Sequence, residues 1–325
     1  MGDFSRRAIL AGVGSLTLSQ LVVSGFAGDQ ALRIVMPFAA GGPADSVARL
    51  LAGRLQASLG RSVIVENRTG AGGRIGLIVV KQAAPDGVTL LFAAGGQIIL
   101  QPHLEPDIGY DPFADLLPIS QIMKFDQGLA VGPQTPVHSL QELGAWFRSN
   151  PDQAVYGSPG VGTAAHFVGA EFGRLSKLEL RHVPYRGGTS AALPDLMAGR
   201  VPVYVASAPE LMEHHRSSGI RIIAITDEAR SPLLPEVPTF RESGIDILAP
   251  SWWAVYAPAK TPPQITERLN RVIVAIVQAP DIRARILAMG YQPTGTTAVE
   301  LMELQRSDYD RWGLVVKASG FTLDP

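Results

Sequence analysis

Two stretches of this chain place glycines just ahead of a helical period, and both could hold an anion. The first is Pro37-Phe38-Ala39-Ala40-Gly41-Gly42-Pro43-Ala44-Asp45, which follows the apolar run Leu32 to Met36. Val47, Leu50, Leu51, Leu55 and Leu59 come next at helical spacing. Gly41 and Gly42 permit backbone angles that other residues resist, and Pro43 suits a first helical position, where no N–H is needed. Asp45 then falls near the third helical position, where a carboxylate accepts from free N–H groups and offsets the positive helix end. A joint of this kind aims backbone N–H groups at a carboxylate or a phosphate. The same residues would also make an ordinary strand-to-helix joint of an α/β protein.

The second stretch, Tyr156-Gly157-Ser158-Pro159-Gly160-Val161-Gly162-Thr163, echoes the first and leads into Ala164-Ala165-His166. His166 lies in the first turn of the helix that follows, where it could donate to a carboxylate or serve in capping and packing. Gly160, Gly162 and Ala165 fit the G-x-G-x-x-A form of a dinucleotide fingerprint. That fingerprint needs an acid at the end of the next strand, yet Glu179 precedes this strand and Tyr185 follows it. Ser158 lacks the G-x-S-x-G frame of a hydrolase nucleophile. His214 and His215 are adjacent and so point apart on a helix, His103, His138 and His182 are scattered, and no zinc-type spacing occurs. With no cysteine there is no thiolate nucleophile, disulfide or Cys-bound metal. A third glycine-rich loop, Asn67 to Gly76, carries Arg68 and Arg74, which pair either with an anion or with neighbouring acids. Strand alternation at Trp252-Trp253 would bury one ring in the core and turn the other towards a cleft.

The elements that must position these groups alternate in the manner of an α/β fold. Strands are expected at Leu32 to Met36, Val63 to Val65, Thr89 to Ala93, Ala154 to Tyr156, Leu180 to Val183, Val201 to Val205, Ile220 to Ile225 and Trp252 to Tyr256. Helices are expected at Pro43 to Leu59, Gly73 to Ala83, Leu140 to Arg148, Thr163 to Leu175, Thr189 to Met197 and Pro209 to Arg216. Three more follow, at Pro263 to Gln278, Asp281 to Met289 and Ala298 to Lys317. The prolines of Ser231 to Pro238 make a loop, because they remove donors and fix φ. The echo between the two glycine joints suggests a discontinuous first domain, 28–124 and 250–325, enclosing a second at 125–249. Its crossings would lie in the long strand-like run Leu116 to Val131 and near Ser251 to Ala257.

With 325 residues the chain is long enough for two domains with a large core. Lys+Arg 28 against Asp+Glu 29 leaves a formal charge of -1, so no basic face for nucleic acid is implied. A hydrophobic content of 46% with 18% charged residues argues against disorder. Ser5-Arg6-Arg7 precedes a moderately apolar run to Val23 and the small residues of Gly25-Phe26-Ala27. Residues 1–27 are read as an export signal, of twin-arginine or general secretory type. A membrane anchor fits less well, because the run falls short of the ~20 apolar residues of a span.

Six motifs in order carry a resemblance: Pro37 to Asp45, Val65 to Gly73, Ala84-Pro85-Asp86-Gly87, Tyr156 to Thr163, His182-Val183-Pro184-Tyr185-Arg186-Gly187-Gly188 and Pro235-Glu236-Val237-Pro238-Thr239. From Ala31 to Lys317 the chain resembles the Bug family, the periplasmic solute-binding proteins of tripartite tricarboxylate transporters. The resemblance implies a two-lobed type II periplasmic binding fold, each lobe a mostly parallel sheet flanked by helices with the ligand cleft between. It implies a periplasmic, non-enzymatic, monomeric protein without cofactor, metal or nucleic acid, which delivers a small organic carboxylate to a membrane permease. Phe38, Ala39, Ala40, Gly41 and Gly42 would hold one carboxylate, Ser158, Gly162, Thr163 and His166 the other end, with Gln97 and Ser207 completing the walls. Family members often carry an aspartate where this chain has Ala206-Ser207, which favours a ligand without an amino group. A sensor for a membrane kinase on the same fold is the alternative, and a dinucleotide-binding oxidoreductase a remoter one.

Overall fold

The structure is a computed structural model that describes residues 30–105, 107–185 and 187–321. The expected export signal at 1–27 lies outside them. The strands are β1 (Leu32–Met36), β2 (Val63–Asn67), β3 (Thr89–Ala94), β4 (Leu116–Phe125), β5 (Gln127–Val131), β6 (Val155–Ser158), β7 (Arg181–Pro184), β8 (Val203–Ser207), β9 (Arg221–Ile225), β10 (Ser251–Pro258) and β11 (Gln292–Pro293). They form two sheets, one ordered β11-β4-β10-β3-β1-β2 and the other β7-β6-β8-β5-β9.

The helices are α1 (Pro43–Leu59), α2 (Arg74–Lys81), α3 (Gly95–Ile99), α4 (Gln101–Leu104), α5 (Leu140–Ser149), α6 (Ala164–Ser176), α7 (Thr189–Met197), α8 (Ala208–Arg216), α9 (Pro263–Gln278), α10 (Pro280–Ala288) and α11 (Ala298–Ser319). Apolar residues at helical spacing account for α1, whose Val47, Ala48, Leu51 and Leu55 pack on Ile34 and Phe92 of the sheet. Pro194 lies inside α7, as its position in the period implies.

The expected long strand Leu116 to Val131 is two strands in different sheets, with Asp126 as the whole connection. The chain returns through residues 226–250 into β10. These two crossings give each sheet one strand running against both its neighbours: β5 pairs antiparallel with β8 and β9, and β10 pairs antiparallel with β3 and β4. The sheets are therefore mixed where a mostly parallel order was expected. A strand that arrives by running straight on from the other sheet enters from the opposite edge and must oppose its new neighbours. At the crossings Gln127 Nε2 donates to Ser251 Oγ at 2.8 Å, and Lys124 Nζ meets Asp227 at 2.8 Å. Asp126 is buried there, and burial, then the charge of Asp227, pushes its carboxyl above the ordinary aspartate range.

The strands that run together end at the same edge of their sheets, and helices begin there: α1 after β1, α3 after β3, α6 after β6 and α8 after β8. Helix N-termini from both sheets thus meet at the crevice beyond the strand ends, where open α/β sheets place ligands.

Candidate functional site

The first jaw is the turn between β1 and α1. Phe38, Ala39, Ala40 and Gly41 are exposed, and Gly41 takes φ +93°, a conformation that favours glycine. Asp45 organises the turn from the third helical position. Its buried carboxylate accepts from Gly41 N at 3.0 Å, Arg49 Nε at 2.8 Å and Asn67 Nδ2 at 2.9 Å. Asn67 Nδ2 also donates to Phe38 O at 2.9 Å, so one amide pins the start of the turn and its helix together. Burial would raise the Asp45 carboxyl, but the bonds from Arg49, Asn67 and Gly41 outweigh it and hold the group below the ordinary aspartate value. The Phe38 ring stands edge-on to Trp253 at 5.5 Å, and Trp253 stacks on Phe92 at 5.3 Å.

The cradle is consequently narrower than the sequence suggested. The Gly41 amide is spent on Asp45, which leaves the N–H groups of Ala39, Ala40 and Gly42, with that of Ala44 in the first helical turn, for an anion. Gln97 is buried, with Oε1 accepting from Ala94 N at 3.2 Å and Nε2 donating to Gly72 O at 3.1 Å. It caps α3 and braces the third glycine loop. The two arginines of that loop pair with acids, Arg68 with Glu66 and Arg74 with Glu105.

The second jaw is the turn between β6 and α6. Thr163 is the N-cap, its Oγ1 accepting from His166 N at 3.1 Å while donating to Gly160 O at 2.8 Å. Gly162, at φ +73°, donates its N–H to His166 Nδ1 at 3.2 Å. That bond requires a lone pair on Nδ1, so the proton of the neutral ring sits on Nε2, which has no partner among the described residues. Burial lowers the His166 pKa and favours this neutral form.

Ser158 is fully buried and fully engaged. Its Oγ lies 2.7 Å from His182 Nε2, accepts from Gly160 N at 3.2 Å and donates to Gly160 O at 3.1 Å. It shapes the turn from beneath through these three bonds. The N–H groups of Val161, Thr163, Ala164 and Ala165 have no backbone partner among the described residues, and with His166 Nε2–H they are the groups of this turn suited to an anion.

His182 carries part of the second jaw and was passed over in the sequence as one of several scattered histidines. It stacks on His166 at 4.1 Å and 25°, and burial, then the charge of His166, brings its pKa down to about 4. Its position in β7, the parallel neighbour of β6, was the available signal: Tyr156 pairs with His182 in register, two residues short of Ser158. Trp252 and Trp253 are both buried. Trp252 Nε1 donates to Asp308 at 2.9 Å on the core side, while Trp253 lies under Phe38. Ser207 ends β8 and precedes α8, half-buried, with no side-chain hydrogen bond among the described residues, and Ala206 before it is buried. The tip of the second jaw abuts the first lobe: a Cβ on Gly162 would lie 3.1 Å from Leu104 Cδ1 in α4.

Two turns, one at the end of a strand in each sheet, thus lead into helix starts, an arrangement found in α/β binding proteins. The profile of the tripartite tricarboxylate transporter family receptor, TctC, matches residues 47–321, and the chain belongs to that family. Its relatives include the protein BugT of Bordetella pertussis, 33% identical over 294 residues that cover 90% of each chain. Among solved structures, an R. palustris protein with adipate superposes with a TM-score of 0.81 at 29% identity, covering 91% of this chain and 99% of that one. MatC from Rhodopseudomonas palustris with bound malate gives 0.76 at 30%, covering 88% and 99%. The periplasmic binding protein BugD gives 0.77 at 29%, covering 90% and 98%. The fold is that of two-lobed periplasmic binding proteins. Among the described residues, no helix is long and apolar enough to cross a membrane, and no group of acids and histidines is placed to hold a metal ion.

Proposed function

We propose that this chain is a periplasmic, monomeric solute-binding protein that closes on a small organic carboxylate and presents it to the permease of a tripartite tricarboxylate-type transporter. The two lobes are taken as 28–124 with 250–325, and 125–249. The observation that carries the reading is the pairing of jaws: each ends a strand, each starts a helix, and each leaves several N–H groups without a partner among the described residues. Ala39, Ala40 and Gly42 hold one carboxylate; Val161, Thr163, Ala164, Ala165 and His166 Nε2 hold the other end. The malate and adipate bound by the two R. palustris neighbours support a dicarboxylate. The alanine and serine at 206 and 207, with no acid in their place, support a ligand that lacks an amine.

Because each end of such a ligand touches a different lobe, its affinity is greater in the closed form, and binding shifts the population towards closure. Catalysis has no part in this account, in which Ser158 braces the turn of the second jaw. Calorimetry and thermal shift with malate, adipate, benzoate and glutamate test it. One dicarboxylate is expected to bind with one-to-one stoichiometry, and at one hundred times its Kd to stabilise the fold by about 2.7 kcal/mol. Failure of every carboxylate, or tight binding of glutamate alone, overturns the ligand assignment.

A further inference from the structure

A cavity of about 270 Å³ lies away from both jaws, between α6, α11 and the segment 241–249 that leads back into β10. None of the jaw residues lines it. Its walls join two sets of groups with different chemistry. Phe167, Ile247, Trp312 and Val315 supply apolar surface, and Arg311 and Arg241 supply cations. The acids on the walls are already matched, Glu171 by Arg174 at 2.6 Å and Asp246 by Arg241 at 2.7 Å. Arg311 is different. Its Nη2 bonds to the buried Asp308 at 2.8 Å, its side chain keeps 30% of its surface exposed, and its Nη1 has no partner among the described residues. Buried donors without an acceptor are rare in folded proteins, because the water they lose is not replaced. A guanidinium tied down on one side, with donor capacity left over beside an apolar hollow, suits a carboxylate whose body is apolar. Size agrees: a dry cavity of ~150 Å³ accepts benzene, so this one has room for a ring and a carboxylate.

We propose that this cavity is a second ligand site, separate from the cleft, for a monocarboxylate with a compact apolar body, its carboxylate on Arg311 and its body among Phe167, Ile247, Trp312 and Val315. The site touches both lobes, α6 belonging to one and α11 to the other. The Phe321 ring stands edge-on to Phe167 at 5.6 Å and to His166 at 5.1 Å, which links the cavity wall to the second jaw.

Fluorine NMR titration of the full chain with 4-fluorobenzoate tests the assignment, with 4-fluorobenzyl alcohol as the uncharged analogue. Three variants locate the binding: Val315→Phe fills the cavity, Arg311→Gln removes its cation, and Ala40→Trp obstructs the cleft. Saturable binding to the wild type is expected, retained in Ala40→Trp and weakened at least tenfold in Val315→Phe and in Arg311→Gln, with the alcohol at least tenfold weaker than the acid. Two equivalents in the wild type, one lost with Ala40→Trp and one with Val315→Phe, also support the site. No saturable binding, or binding lost with Ala40→Trp and unmoved by Val315→Phe, overturns it. Equal affinity for acid and alcohol removes the role given to Arg311, and if Arg311→Gln fails to fold, that comparison together with Val315→Phe still decides.

Discussion

The two jaws do the same work with opposite materials. At the first, a buried carboxylate, an arginine and an asparagine fix the turn, so its shape depends on a negative charge held inside the protein. At the second, threonine, serine and two stacked imidazoles fix it with neutral hydrogen bonds. A helix start that must receive an anion is best braced from behind, and the difference lies in whether that brace titrates. Asp45 keeps its charge well into acid, because its hydrogen bonds more than offset burial. In the His166–His182 stack, burial lowers the pKa of both rings and so favours their neutral forms.

Removing the charged brace should have the largest effect. Asp45→Ala leaves Gly41 N, Asn67 and Arg49 without their acceptor, and a loss of about 2–4 kcal/mol in denaturant unfolding is expected, with at least tenfold weaker ligand binding. An Asp45→Ala protein with unchanged stability would mean that the first jaw is held by packing on Trp253 instead.

The neutral brace should answer to pH. A histidine whose folded pKa lies below its unfolded value binds fewer protons in the folded state, so its contribution is whole above about pH 6.5 and declines as pH falls towards 4. A fall of roughly 1–2 kcal/mol between pH 7 and 4.5 is expected, discounted because His182 is only half-buried, and His182→Gln should flatten it. Hydrogen exchange sharpens the contrast. Protection at residues 160–166 should decline over that range while residues 39–45 hold theirs, since Asp45 protonates only below the ordinary aspartate value. Equal loss at both jaws would erase the distinction.

Thr163→Ala removes the cap of α6 and should cost about 1 kcal/mol by thermal unfolding, with the change in exchange confined to the second jaw. The smallest effect belongs to Arg68→Ala. Its half-exposed pair with Glu66 is worth under ~0.5 kcal/mol, and ligand affinity in calorimetry should not move. A marked loss of affinity would make Arg68 part of the first jaw.

Much of this arrangement was legible in the residues themselves. Pro43, Asp45 and the leucines of α1 announce a helix start, and α9 runs from Pro263 to Gln278 as its period implies. The elements that escaped are those set by tertiary packing. Gly95-Gly96 is a poor helix former, and α3 exists because Gln97 caps it and Tyr110 bonds to Gln97 O beneath it. Nothing local marks Asp126 as a change of sheet, because the apolar run is continuous on either side. The jaws were placed correctly as turns, yet the fate of each donor was hidden. Whether Gly41, Ser158 or Gly162 faces a ligand or a neighbour depends on partners up to four residues away along the helix, or on a different strand.

The position of β10 has a consequence for how the molecule is made. It lies between β3 and β4, so the six-stranded sheet stays open until residues 251–258 arrive, late in the chain. The five-stranded sheet uses residues 127–225 without interruption. The inserted lobe can therefore assemble first, while β3 and β4 wait with unpaired edges, the kind of surface that invites association with another chain.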